Sequence, residues 1–135
     1  MTATTQAKGE FEVKLTPQST DEGAGSTLGR FTNDKVFRGE LEATSKGEML
    51  TAGTEVKGSA GYVLIERVTG TLHGRTGAFV LQHDATLDRG APQQRIIIVP
   101  DSASGQLLGL KGSMTIQIES GRHFYTLTYS LPDAG

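Results

Sequence analysis

The chain has 135 residues and a formal net charge of −2. That length suits one domain, and 13 basic against 15 acidic residues leave none of the basic excess that a sequence-independent nucleic-acid binder needs. Cysteine is absent, which excludes disulfides and thiolate chemistry together, while glycine, at 18 residues, stands at about twice its usual share.

Residues 1–7 contain no apolar stretch, so no secretory signal is expected there. They read as a frayed end, as do residues 132–135. Strands are expected wherever apolar residues take every second position. The first is predicted over 9–16, where Phe11, Val13 and Leu15 alternate with Glu10, Glu12 and Lys14. A turn-prone stretch from Asp21 to Ser26 separates it from strands over 27–38 and 39–53. Phe37 and Leu41 keep parity across Gly39, so these two read either as separate strands or as one long strand bent there. The face holding Leu41, Ala43, Ser45, Gly47 and Met49 is rich in small residues, which suits the taper or the cavity of a narrow barrel. Glu40, Glu42 and Glu48 read as its solvated face. Strands over 60–72 and 76–88 make a hairpin, and strands over 93–100, 112–119 and 123–131 complete the chain. In the last two, Met114, Ile116 and Ile118, then Tyr125, Leu127, Tyr129 and Leu131, alternate with polar residues. Phe31, Phe37, Phe79, Phe124 and the three Tyr read as core.

A period of two with one polar face means antiparallel strands. Seven or eight of them suggest a sandwich or a closed barrel, and closure has the advantage of removing exposed edges. The apolar runs Tyr62–Ile65 and Ile96–Val99 fall far short of the roughly 20 residues that cross a bilayer. A soluble, cytoplasmic, all-β single domain over 1–135 is expected, with no membrane partner.

The hairpin from Tyr62 to Asp88 is the most informative segment. A turn on Gly74-Arg75, or on His73 to Thr76, places Gly70 opposite Phe79, Val68 opposite Leu81 and Glu66 opposite His83. Tyr62, Leu64, Val68 and Leu72 share a face with Phe79, Leu81, Ala85 and Leu87. Glu66 and His83 lie on that inward face, close enough to share a hydrogen bond. Two readings stand: a polar pair on the wall of a ligand cavity, with Glu66 orienting an acid–base His83, or a satisfied buried pair that fixes register. Val63, Ile65 and Val80 take the outward face, as an oligomer interface would.

Other motifs carry less. The histidines, His73, His83 and His123, have no helical spacing, so no metal site and no cofactor is expected. Ser102-Ala-Ser104-Gly105 lacks the strand–turn–helix of a nucleophile elbow, and Gly105–Gly112 lacks the Lys-Ser/Thr ending of a phosphate loop.

Three segments carry a family resemblance. Ser104-Gly-Gln-Leu-Leu-Gly-Leu-Lys-Gly112 resembles the S-G-x-L-x-G-L-x-G turn of barrels related to allene oxide cyclase and the dirigent proteins. Phe37-Arg-Gly-Glu-Leu-Glu-Ala43 resembles an F-x-G-x-L-x-G strand. The stretch from Glu66 to His83 resembles an E-R-V-x-G-T-L-x-G-R-x-G-x-F-V-L-Q-H hairpin. Together they are similar to a bacterial family of unknown function with an allene-oxide-cyclase-like barrel. The chain departs from it after Leu87, where Arg89 to Ile98 has no aromatic near the start of the next strand. The resemblance implies an eight-stranded antiparallel closed barrel with a central cavity, often assembled as an oligomer.

The expected function is a small-molecule-binding barrel for an apolar ligand. Phe37, Met49, Tyr62, Leu64, Phe79, Leu81 and Tyr125 would line its cavity, with Glu66 and His83 as the polar anchor. The alternatives are an isomerase or cyclase that templates an apolar substrate there, with His83 as acid or base, and a structural homo-oligomeric protomer.

Overall fold

The computed structural model describes residues 4–132. Nine strands run in chain order: β1 (Thr5–Gly23), β2 (Ser26–Gly39), β3 (Leu41–Thr54), β4 (Ala60–Leu72), β5 (Arg75–Asp88), β6 (Ala91–Ile98), β7 (Ser104–Gly105), β8 (Lys111–Glu119) and β9 (Arg122–Ser130). No helix occurs among the described residues, so none is long and apolar enough to cross a membrane. Eight strands close into an antiparallel barrel in the order β1-β2-β3-β4-β5-β6-β8-β9, with β9 pairing back onto β1. The two-residue β7 clips onto β5 at Gly77 and Ala78.

Period-two alternation explains the closure, since each strand offers one dry face to the interior. Three of the tight turns share one device. His73-Gly74, Arg89-Gly90 and Ser120-Gly121 each have both residues at positive φ. This is the twist a two-residue hairpin needs, with glycine taking the second position at no steric cost.

Four expectations are corrected. β2 and β3 are a hairpin, paired from Ser26↔Thr54 to Phe37↔Ala43, and not one bent strand. Inward residues flanking a tight turn keep parity just as those flanking a bend do. Thr5–Ala7 belong to β1 rather than to a frayed end, because they pair with Tyr129–Leu127 of β9 and Ala7 is fully buried. The rest of the expected fraying, at 1–3 and 133–135, lies outside the described residues. Phe124 points outward beneath the Arg122 guanidinium, 5.4 Å from its ring centre, since it has the opposite parity to buried Tyr125. β1 also runs on to Gly23, beyond the predicted 16. Its pairing with β9 stops at Phe11, so Pro17 sits where no β9 partner needs its missing N–H, beside a register shift between Pro17 and Ser19.

The two ends of the barrel differ. At one end Phe37, Leu41, Leu72, Phe79, Leu81 and Leu127 pack solidly. The 99–110 connection folds over them and inserts Ala103, Leu107 and Leu110. The glycine-rich turn singled out in the sequence is therefore a plug. Tyr125 staples this end. Its hydroxyl donates to the Arg38 carbonyl at 2.9 Å and accepts from the Leu41 N–H at 2.9 Å, closing the β2–β3 turn. Tyr125→Phe is expected to destabilise the barrel by about 1–3 kcal/mol, because it strands a buried N–H. Urea unfolding checks this, and an unchanged midpoint would show that water replaces the hydroxyl.

Candidate functional site

Glu66, on β4, is the centre of a buried polar layer halfway along the barrel. Its Oε2 accepts from Lys35 Nζ at 2.7 Å and from His83 Nε2 at 2.5 Å. Its Oε1 accepts from Ser45 Oγ at 2.5 Å and from Asn33 Nδ2 at 3.5 Å. All five residues are buried, Glu66 completely. They come from four neighbouring strands, β2 to β5, at inward positions. Lys35 also lies over the rings of Phe11 and Phe37, 5.1 and 5.9 Å from their centres.

Gly47 makes room for this arrangement. It pairs with Glu66, and a Cβ there would run into the Ile65 carbonyl and into Cα and Cβ of Glu66. The small residue expected to keep the interior open thus clears space for a side chain. Gly70 likewise stands opposite Gly77 rather than Phe79, and its close neighbour is Ala43 on β3.

The hairpin register is corrected by two residues. The turn is His73-Gly74, so Glu66 faces Leu81 and His83 faces Leu64. A shift of two preserves the inward face. Glu66 and His83 become diagonal neighbours, and their side chains still meet across the roughly 7–8 Å such positions span.

Burial alone would push the Glu66 carboxyl up. The hydrogen bond from His83 and the charge of Lys35 outweigh it and hold the carboxyl at about 2. Burial pulls Lys35 down, only partly offset by Glu66. His83 is also lowered, by burial first and then by the Lys35 charge, against the hydrogen bond to Glu66. At neutral pH the layer therefore holds an ionised Glu66 and a neutral His83.

Above the layer is a pocket with a cavity volume of about 280 Å³. Asn33, Lys35 and His83 form its polar floor. Val13, Met49, Leu64 and Ile116 contribute to its apolar walls. It adjoins an outer groove of about 640 Å³, and Tyr62, Gln94, Ile116 and Ile118 line both. Gln94 donates to the Tyr62 hydroxyl at 3.0 Å, bridging β4 and β6 where the two spaces meet. The wall is thin on this side, since β6 and β8 pair only at Ile97↔Ser113.

Of the residues expected to line a cavity, Met49, Tyr62 and Leu64 do so. Phe37, Phe79, Leu81 and Tyr125 are not among the residues that line this pocket or the groove beside it. They are buried in the packed end, because the connection that plugs that end fills the space they would have faced. Asn33, Lys35 and Ser45 went unrecognised in the sequence. Among the described residues no three His, Asp or Glu side chains are grouped to ligate a metal.

The fold and this interior define a closed eight-stranded antiparallel β-barrel with a buried carboxylate-centred layer. The chain belongs to the DUF3224 family of proteins of unknown function, whose family model matches residues 7–129. It is similar to the crystal structure of a DUF3224 protein of unknown function from Shewanella oneidensis MR-1, with 49% identity and a TM-score of 0.93. That match covers 98% of this chain and 100% of the other. No curated protein matches.

Proposed function

We propose that this chain is a cytoplasmic small-molecule-binding barrel, with the ligand's apolar body in the pocket and its polar end on the Asn33, Lys35 and His83 floor. One observation carries the reading: charged and polar side chains, nearly all of whose surface is buried, form the base of an otherwise apolar pocket. Small-ligand sites have this composition, and a pocket of about 280 Å³ that adjoins a larger groove falls near their lower size range. Native mass spectrometry of protein purified from its own host tests the reading. A retained small molecule is expected, and Met49→Trp or Ile116→Trp, which fill the pocket from different strands, should remove it. Protein that carries nothing and takes up no apolar fluorophore rejects it.

Two further readings have support of their own. An isomerase or cyclase that templates an apolar substrate is favoured by His83 at the pocket floor with Glu66 hydrogen-bonded behind it, and by the resemblance to allene-oxide-cyclase-like barrels. A homo-oligomer is favoured by Leu50, Val63 and Ile65, about half exposed on the outer face of β3 and β4, where Leu50 pairs with Val63.

A further inference from the structure

The hydrogen-bond valences left at the pocket floor extend the ligand-binding reading to the chemical class of the ligand. Glu66, as a carboxylate, only accepts. The His83 nitrogen that meets it, Nε2, must therefore carry the imidazole's proton, which leaves Nδ1 with a free lone pair. Nδ1 has no partner among the described residues. No buried side-chain nitrogen or oxygen among those residues lacks one, so Nδ1 opens onto the pocket that His83 lines. Beside it, Lys35 has spent one of its three N–H groups on the same Glu66 oxygen. The floor thus offers one base and one cation, with the carboxylate of the layer already saturated by four donors.

We propose that the ligand is a weak organic acid on an apolar body, and that it gives its proton to Nδ1 of His83 as it binds. The O–H bond breaks and its electron pair stays on the ligand oxygen. A new N–H bond forms at Nδ1, and the imidazolium is held between Glu66 and the ligand's oxyanion. The charge count favours this. Lys35 and Glu66 cancel in the free layer, so protonating His83 alone leaves one uncompensated buried charge. A bound oxyanion cancels it. The other titratable groups facing the pocket are Tyr62 and His123, and neither is a carboxylate.

The inference rests on the pocket reading, and a pair of probes separates the two. Nitrobenzene tests the pocket, and 4-nitrophenol, with one acidic hydroxyl more, tests the proton transfer. Nitrophenol is expected to bind about ten-fold or more tighter, as a charge-assisted hydrogen bond would give. It should bind as its yellow phenolate, even at a pH where the free phenol is neutral. His83→Gln keeps a donor for Glu66 but lacks the base. It should lose the phenolate band and the preference while still binding nitrobenzene. Equal affinities, or nitrophenol bound as the neutral phenol, overturn the inference and leave the pocket reading standing. If neither probe binds, the pocket reading falls and the inference with it. A measurement on the unaltered protein guards against a variant that fails to fold. Octanoate, already ionised, must bind with uptake of about one proton, read by calorimetry in buffers of different ionisation enthalpy. No uptake overturns the proposal.

Discussion

Glu66→Ala is expected to destabilise the barrel by about 3–5 kcal/mol, the usual cost of removing one partner from a buried ion pair. The loss leaves Lys35 charged in a site that exposes only 5% of its side chain, with the phenylalanine rings as its remaining company. Ser45 and Asn33 lose their acceptor in the same step. Total stabilities of single domains run to about 5–15 kcal/mol, so the variant should sit near the edge of folding. The informative comparison is Lys35→Met, Glu66→Met and His83→Leu together. Replacing a buried ionic group as a whole with apolar side chains of similar size is commonly neutral or stabilising. The triple variant is therefore expected to recover most of what Glu66→Ala loses, measured by urea unfolding. If it does, stability alone gives no reason for a buried ionic layer here, and a role at the pocket floor supplies one. If the triple variant is as weak as the single one, the layer is part of what holds the barrel in register.

Most of the fold was legible because its signal is local. Alternation of period two depends only on which face is dry, and it placed eight strands within a few residues of their ends, apart from the long extension of β1. The centre of each turn, and the register it sets, was harder to read. His73-Gly74 is a two-residue turn of the same kind as Asn-Gly, but His-Gly is not one of the dipeptides that mark such a turn in a sequence. Centring the turn one residue later moved the register by two, and only the tolerance of parity to an even shift kept Glu66 and His83 together. Lys35 and Asn33 were missed for a different reason. A buried lysine and a surface lysine are the same letter, and their burial is decided by Glu66, 31 residues or more away in the chain. Counting back by twos from inward Phe37 reaches Lys35, Asn33 and then Phe31, so the face was readable once its polar members were allowed inside. The packed end could not be read this way. That Phe79 and Tyr125 meet core rather than cavity depends on where the 99–110 connection lands, which is a matter of tertiary packing.

The same layer should govern how the barrel responds to acid, in two stages. His83 is lowered from 6.5 in the folded state, so the unfolded chain binds its proton first as pH falls. Its contribution is complete above 6.5 and is lost as pH drops through the lower folded value. Glu66 comes second. Its carboxyl titrates near 4.5 when unfolded and at about 2 when folded, so its stabilisation is whole above 4.5 and drains away between there and about 2. At roughly 1.4 kcal/mol for each unit of difference, that second stage is worth about 3 kcal/mol. Lys35 acts in the same sense at the alkaline side, since its folded value is also lowered, and stability should go on rising toward 10.5. Urea midpoints taken from about pH 8 down to about pH 3 are expected to fall below 6.5 and to go on falling below 4.5. In Glu66→Gln the share of the lower stage that Glu66 supplies should be missing, whatever the starting level, leaving only that of carboxyls such as Glu40, held down by the Lys8 N–H and His73. A midpoint that stays level through 4.5 in the unaltered protein would mean that Glu66 gains nothing from its four donors beyond what water gives it. A bound acid should flatten the upper stage as well, because its oxyanion raises His83 and removes the penalty for charging it. The pH dependence of stability, measured with and without nitrophenol, therefore reports on the structural role of the layer and on its ligand in one titration.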